Sequence, residues 1–116
     1  MDKTQYLKLV VGAPTSHEDA IRDALAKAGA GQFGNYSNCS FTTQEGTGRF
    51  LPNEDANPAI GNVGEPGQVR EVRIHVSCEE KILEKVVEEL KKVHPYEELP
   101  LEVYRLYQRP FINRNE

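Results

Sequence analysis

The sequence twice places an alternating apolar run directly ahead of an apolar stripe at helical spacing, and few folds satisfy that pattern. In the second half Val72, Ile74 and Val76 alternate with Arg73 and His75, the signature of a half-buried strand. Ser77 and Glu80 stand at capping-box spacing, and Ile82, Leu83, Val86, Val87, Leu90 and Val93 then recur on one helical face. A helix is therefore expected from about Glu79 to Val93, and Pro95 stops it. Leu101 to Leu106 resumes a strand. In the first half, Tyr6 to Val11 reads as a strand with Leu7, Leu9 and Val11 inward, and Gly12-Ala13-Pro14 breaks it. Thr15 and Glu18 form a second capping box, ahead of Ala20, Ile21, Ala24, Leu25 and Ala28. Gly29 stands where a helix C-terminus wants a residue that tolerates positive φ.

Between the halves lies a glycine-rich middle, Gly31 to Gly67. Tyr36 to Thr43 has the composition of a strand. Glu45-Gly46 is expected to turn, and Thr47 to Leu51 to extend or pair with that strand. The stretch from Pro52 to Pro58, with Gly61, Gly64 and Pro66-Gly67, is loop-forming and long enough to be functional or interface-forming. Read in order, the chain is an α+β protein. The plan is a ferredoxin-like βαββαβ sandwich, an antiparallel sheet with two helices on one face and a long arm. A single domain spanning 1–116 is expected, with its core at about 5–107 and a tail at 108–116. The open sheet face, with Tyr6, Lys8, Val10, Glu71, Arg73 and His75, is too apolar for free solvent and too polar for a core. Contact between copies is the natural use of it, with the arm supplying edge pairing.

Charge narrows the function. The 116 residues carry 14 Lys+Arg against 18 Asp+Glu, a formal net charge of −4, which argues against a general nucleic-acid binder. The basic stretch Arg105 to Arg114 reads as a solvated end. No apolar run approaches the ~20 residues of a bilayer span, so no membrane partner is expected. The opening Met1-Asp2-Lys3-Thr4-Gln5 lacks the apolar region of a secretory signal. Two cysteines make neither a disulfide scaffold nor a zinc ribbon, so a reducing, cytoplasmic setting is expected.

Five ordered blocks carry a resemblance over nearly the whole chain. Gly29-Ala30-Gly31-Gln32-Phe33-Gly34-Asn35-Tyr36-Ser37-Asn38-Cys39-Ser40-Phe41 resembles a GAG-x-x-GNY-x-x-C-S-F signature. Gly46 to Pro52 matches G-T-G-x-F-x-P, and Asn57 to Gly64 matches N-P-x-I-G-x-x-G. Glu71 to Ile74 and His94-Pro95-Tyr96-Glu97-Glu98 complete the set. Together they resemble the small domain inserted in many Nif-three-like, dinuclear-metal proteins, which carry a GTP cyclohydrolase type-two-like label. That domain is similar in fold to the PII signalling and CutA divalent-cation tolerance proteins, so the resemblance implies a PII/CutA-like fold and a homotrimer. The metal-holding halves of the long proteins are not contained in this chain. His17, His75 and His94 do not match their ligand pattern. Leu99 intervenes before Pro100, where the family's proline follows the two glutamates directly.

For function, two readings stand side by side. The first is a non-enzymatic oligomeric binding or regulatory module, responsive to a divalent metal and open to a protein partner. The second is a small metal-dependent hydrolase acting at subunit boundaries. The candidate metal ligands are His94, Glu97 and Glu98, completed by Cys39 and Glu71. Imidazole with carboxylate suits zinc, copper or manganese, and a thiolate favours zinc or copper. For His94 the competing explanation is structural, an imidazolium at a helix C-terminus. The glycines at 29–34 follow a helix instead of leading into one, so they are a C-cap and tight turn that present Asn35 and Tyr36 for binding. Tyr96 joins them as a further binding candidate. Cys78 is expected to begin the second helix as a bystander. No nucleophile–base arrangement can be assembled, so no catalytic residue is assigned.

Overall fold

The computed structural model describes residues 3–116. Strand β1 (Tyr6–Pro14) leads through a 3-10 turn (Thr15–His17) into helix α1 (Glu18–Lys27). Strands β2 (Phe41–Thr42), β3 (Gly46–Phe50) and β4 (Gly67–Glu79) follow. A second 3-10 turn (Glu80–Ile82) opens helix α2 (Leu83–Val93), and strand β5 (Leu101–Leu106) closes the sheet.

The sheet is antiparallel throughout, in the order β2-β4-β1-β5, with β3 also pairing β4. This is the expected ferredoxin-like α+β plan. β1 runs against β4 from Tyr6 opposite Glu79 to Pro14 opposite Glu71, and against β5 from Tyr6 opposite Leu106 to Val11 opposite Leu101. That register puts Leu7, Leu9, Val11 and Ala13 on the same face as Val72, Ile74, Val76 and Cys78. Ile21, Leu25 and Ala28 of the first helical segment and Val86 and Leu90 of α2 close over them as one buried cluster. Ala20, expected on the apolar stripe, is exposed, because the sheet sees only a narrow face of α1.

Helix α1 ends as its glycine requires. Gly29 has φ +97, Gly29 N–H donates to Ala26 O at 3.0 Å and Ala30 N–H to Leu25 O at 3.0 Å, a Schellman motif. Neither expected capping box forms. Each helix enters through a 3-10 turn whose cap residue, Pro14 or Glu79, makes no side-chain cap hydrogen bond. Ser77 is still inside β4, opposite Lys8, because the ladder with β1 continues to Glu79.

The middle of the chain differs from its expected form in two respects. The strand shrinks to Phe41–Thr42, and Cys39 lies before it. Glu45-Gly46 does not turn. Phe41 faces His75 and Thr42 faces Ile74, Thr43 N–H donates to Arg73 O, and Gly46 then faces Glu71. The edge thus runs on along β4 with one extra residue, a bulge, and β3 extends the first strand, one of the two expected arrangements, without the expected turn. The real reversal lies at residues 51–66, closed by Gly64 N–H to Pro52 O at 2.9 Å. This makes β3 and the start of β4 an arm, and the molecule measures 55 × 25 × 23 Å.

The open face carries Lys8, Val10, Arg73, His75, Glu102 and Tyr104 around a shallow hollow of about 490 Å³. Val10 is its buried floor. Phe41 stands edge-on to His75 there, 68% exposed. The C-terminal stretch is not simply a solvated end: Phe111 lies 4.9 Å from the Phe33 ring, and Arg109 sits over the same ring.

Candidate binding cleft

A cleft of about 730 Å³ opens between the arm and the turn that follows α2. Pro95 ends α2, and His94 leaves the helix with extended backbone, so the chain turns sharply across the end of β1. One wall is Tyr96, Glu97, Glu98 and Pro100; the other is the arm from Gly48 to Ile60; Glu71 and Arg73 lie between them.

Glu71 organises this junction. It is a buried acid, 9% exposed, at the one residue of β4 where the ladders with β1 and β3 overlap. Tyr96 donates its hydroxyl to Glu71 Oε2 at 2.6 Å, and Arg73 Nη1 donates to Oε1 at 3.0 Å. A buried carboxylate held this way is satisfied on both oxygens. The phenol feels the other side of the bargain: burial first, then the bond to Glu71, push Tyr96 well above the usual tyrosine range. Gly48 is what lets Glu71 lie there, since a β-carbon at that position would stand 2.5 Å from Oε1.

His94 sits beside Tyr96, with ring centroids 4.8 Å apart. It is 8% exposed. Its Nε2–H donates to Gly12 O at 2.7 Å, and Tyr96 N–H donates to Nδ1 at 3.2 Å. A carbonyl accepts and an amide donates, so these partners fix the neutral tautomer protonated on Nε2. Burial is the largest influence on its pKa and lowers it, against the opposing effect of the Gly12 bond. The imidazolium-at-helix-end explanation is therefore replaced by a neutral clamp from α2 to β1.

The five candidate metal ligands do not come together. Glu71, Glu97 and Glu98 all line the cleft. Glu97 Oε1 already accepts from Asn57 N–H at 2.9 Å, tying the arm loop to the turn. His94 has both ring nitrogens engaged, and Cys39 lies elsewhere, with its backbone N–H on Gly31 O and its thiol near Ser37 O. Among the described residues, no three His, Cys, Asp or Glu side chains are grouped to hold a metal ion. Of the other binding candidates, Tyr96 lines the cleft. Asn35 and Tyr36 sit on the expected tight turn, where Phe33 and Tyr36 exchange backbone bonds at 2.9 and 3.0 Å, and Tyr36 is 73% exposed. Cys78 does not begin a helix. It faces Leu7 inside the sheet, and burial, then Glu79, pushes its thiol up to about 11.

Sequence reasoning marked the arm loop as functional or interface-forming but named none of its residues as a site. The signal was Phe50: Gly61 and Gly67 are the glycines whose β-carbons would strike that ring, at 3.1 and 2.6 Å.

Comparison with known proteins shows where such a chain occurs. The "GTP cyclohydrolase 1 type 2 homolog" of Halalkalibacterium halodurans is 46% identical over 99 residues, 85% of this chain and 26% of that protein. The Bacillus subtilis protein of the same name is 42% identical over 103 residues, 89% of this chain and 27% of that protein. A solved Bacillus cereus protein related to NIF3 superposes with TM-score 0.79 at 38% identity, covering 93% of this chain and 27% of that one. The chain is homologous to one segment of NIF3-related proteins. It spans about a quarter of the length of the curated relatives it matches. No family model matches it. At the level of fold alone, it resembles CutA1 from Oryza sativa, with TM-score 0.66 and 11% identity over 90% of this chain and 83% of that one. It is also similar in fold to the Bacillus subtilis GlnK–ATP complex, with TM-score 0.58 and 14% identity over 88% and 82%. Among the described residues no helix is long and apolar enough to cross a membrane.

Proposed function

We propose that this NIF3-segment homologue is a non-enzymatic, homotrimeric binding module of the cytoplasm, with the arm-and-turn cleft as its ligand site. The observation that carries the reading is an excess of surface. A compact monomer of 13.1 kDa exposes about 6,400 Å², whereas this chain exposes 8142 Å². Its radius of gyration is 15.9 Å, against about 13.4 Å for a compact domain of this length.

Two surfaces are open to another copy. The open sheet face offers exposed Phe41 and Tyr104 among its charges, over the buried floor of Val10. The sheet also ends in two edges, β2 with β3 on one side and β5 on the other, and a head-to-tail pairing of unlike edges closes into a ring. Three copies are favoured by the CutA- and PII-like fold. A metal centre within one copy is no part of this reading, because His94 has no free ring nitrogen. GTP cyclohydrolase chemistry is not carried over either, since the relatives bearing that name extend far beyond the matched segment.

Light scattering tests the assembly. A mass near three times 13.1 kDa at micromolar concentration is the expected result. A monomer mass overturns it.

A further inference from the structure

We propose that residues 112–114 of one copy are what the cleft of the next binds, an inference that rests on the cleft and oligomer readings above and names the occupant of that site. The two surfaces complement each other in charge. Within the cleft Glu71 and Arg73 neutralise each other, which leaves Glu54, Asp55, Glu97 and Glu98 facing Arg49. Its floor is apolar, with Phe50, Leu51, Ile60 and Pro100, and Leu51 is 54% exposed. Arg109 is engaged over its own Phe33 and on Phe111 O, which leaves Ile112 to Arg114, with Arg114 and no acid. Ile112 is 82% exposed, among the most exposed large apolar side chains of the described residues. An apolar anchor beside an arginine is the pairing that an apolar floor with an acidic rim accepts.

Geometry makes the contact intermolecular. β5 ends at Leu106 opposite Tyr6, whereas the cleft opens beyond the Pro14–Glu71 end of the same ladder. Nine residues of β1 separate the two ends, about 27 Å. Phe111 against Phe33, with Phe33 itself 6.2 Å from Tyr6, fastens the stretch at the far pole of its own copy. Ile112 to Arg114 therefore project away from their own cleft. Complementary surfaces at opposite poles give a head-to-tail contact, which closes into a ring when the rotation allows it and into fibres when it does not.

The test replaces Ile112 by p-benzoylphenylalanine in the full chain, mixes 14N- and 15N-labelled protein, irradiates, and maps adducts by mass spectrometry. Ile112 is exposed, so the replacement leaves the fold intact. Mixed-isotope adducts on residues 48–60 or 96–100 are expected. Adducts elsewhere, or within one chain only, overturn the docking. Light scattering on the same sample separates the two ideas, since an oligomer with no cleft adduct overturns the docking alone, and a monomer overturns both. In addition, Arg114→Glu should weaken assembly by about tenfold, and Arg114→Glu with Glu98→Arg should restore it. Unchanged assembly of the single variant overturns the role of Arg114 in the contact.

Discussion

His94 Nε2 lies 2.7 Å from the carbonyl oxygen of Gly12, so the residue that ends α2 is bolted to the last turn-side residues of β1. The other ring nitrogen accepts from Tyr96 N–H, which leaves no place for a second proton. Protonation must break that bond and bury a charge.

Stability should therefore depend on pH in a defined direction. Burial lowers the His94 pKa below the ordinary 6.5, so the unfolded chain binds a proton that the folded chain refuses. Stability is full above about 6.5, and falls as pH drops from there toward the folded value. Urea unfolding from pH 7.5 to 5 should show a steeper loss for wild type than for His94→Gln. His75, also lowered by burial and by Lys8, is present in both proteins and cancels. Equal slopes would remove His94 as the cause.

The bond from Tyr96 to Glu71 predicts coupling between the turn and the arm. Tyr96→Phe leaves one oxygen of a buried carboxylate without its donor and should cost about 1.5–3 kcal/mol. Glu71→Gln should cost a similar amount, and the double variant should cost clearly less than the sum. Additive losses in a denaturant double-mutant cycle would show that the two residues do not act together.

Gly31 and Gly46 are expected to respond in opposite ways to alanine. Gly31 has φ +76, and a β-carbon there would stand 2.4 Å from Cys39 O, a backbone atom that cannot step aside cheaply. Gly31→Ala should destabilise by more than about 2 kcal/mol, the left-handed cost plus the clash. Gly46→Ala meets nothing within 4 Å and should be within about 0.5 kcal/mol of wild type. Thermal melts of the two variants decide it; similar melting points would contradict the geometry.

Cys78 should be inert in the folded protein. It is buried, and its thiol is pushed up to about 11, so little thiolate exists at pH 8. An aromatic disulfide reagent should titrate no more than one thiol natively and both after denaturation. Two fast thiols in the native protein would be inconsistent with this packing.

Much of the fold was legible because it is written in periodicity. The inward sets Leu7, Leu9, Val11 and Val72, Ile74, Val76 follow from a side-chain period of two, and Val86 with Leu90 from a helical one. Gly29 announced its own positive φ. Local hydrogen-bond choices were not legible: Ser77 matches a capping pattern, but a ladder nine residues long outweighs one cap bond. Nor did the bulge at residues 43–45 have a signal, since Glu45-Gly46 is equally good turn chemistry.

By itself, then, the sequence determined which faces are apolar, where the helices stop, and the resemblance to one segment of a longer family. Tertiary structure decided how the polar residues pair. The block His94 to Glu98 is visible in the sequence but its bonds are not: Gly12 reaches His94 from β1, Glu71 reaches Tyr96 from β4 and Asn57 reaches Glu97 from the arm loop, and only the Arg73–Glu71 pair is local. A side chain's protonation state and its freedom to bind a ligand depend on those distant partners. For His94 the distant partner is Gly12 O of β1, which with the local amide of Tyr96 engages both ring nitrogens and makes the residue a clamp.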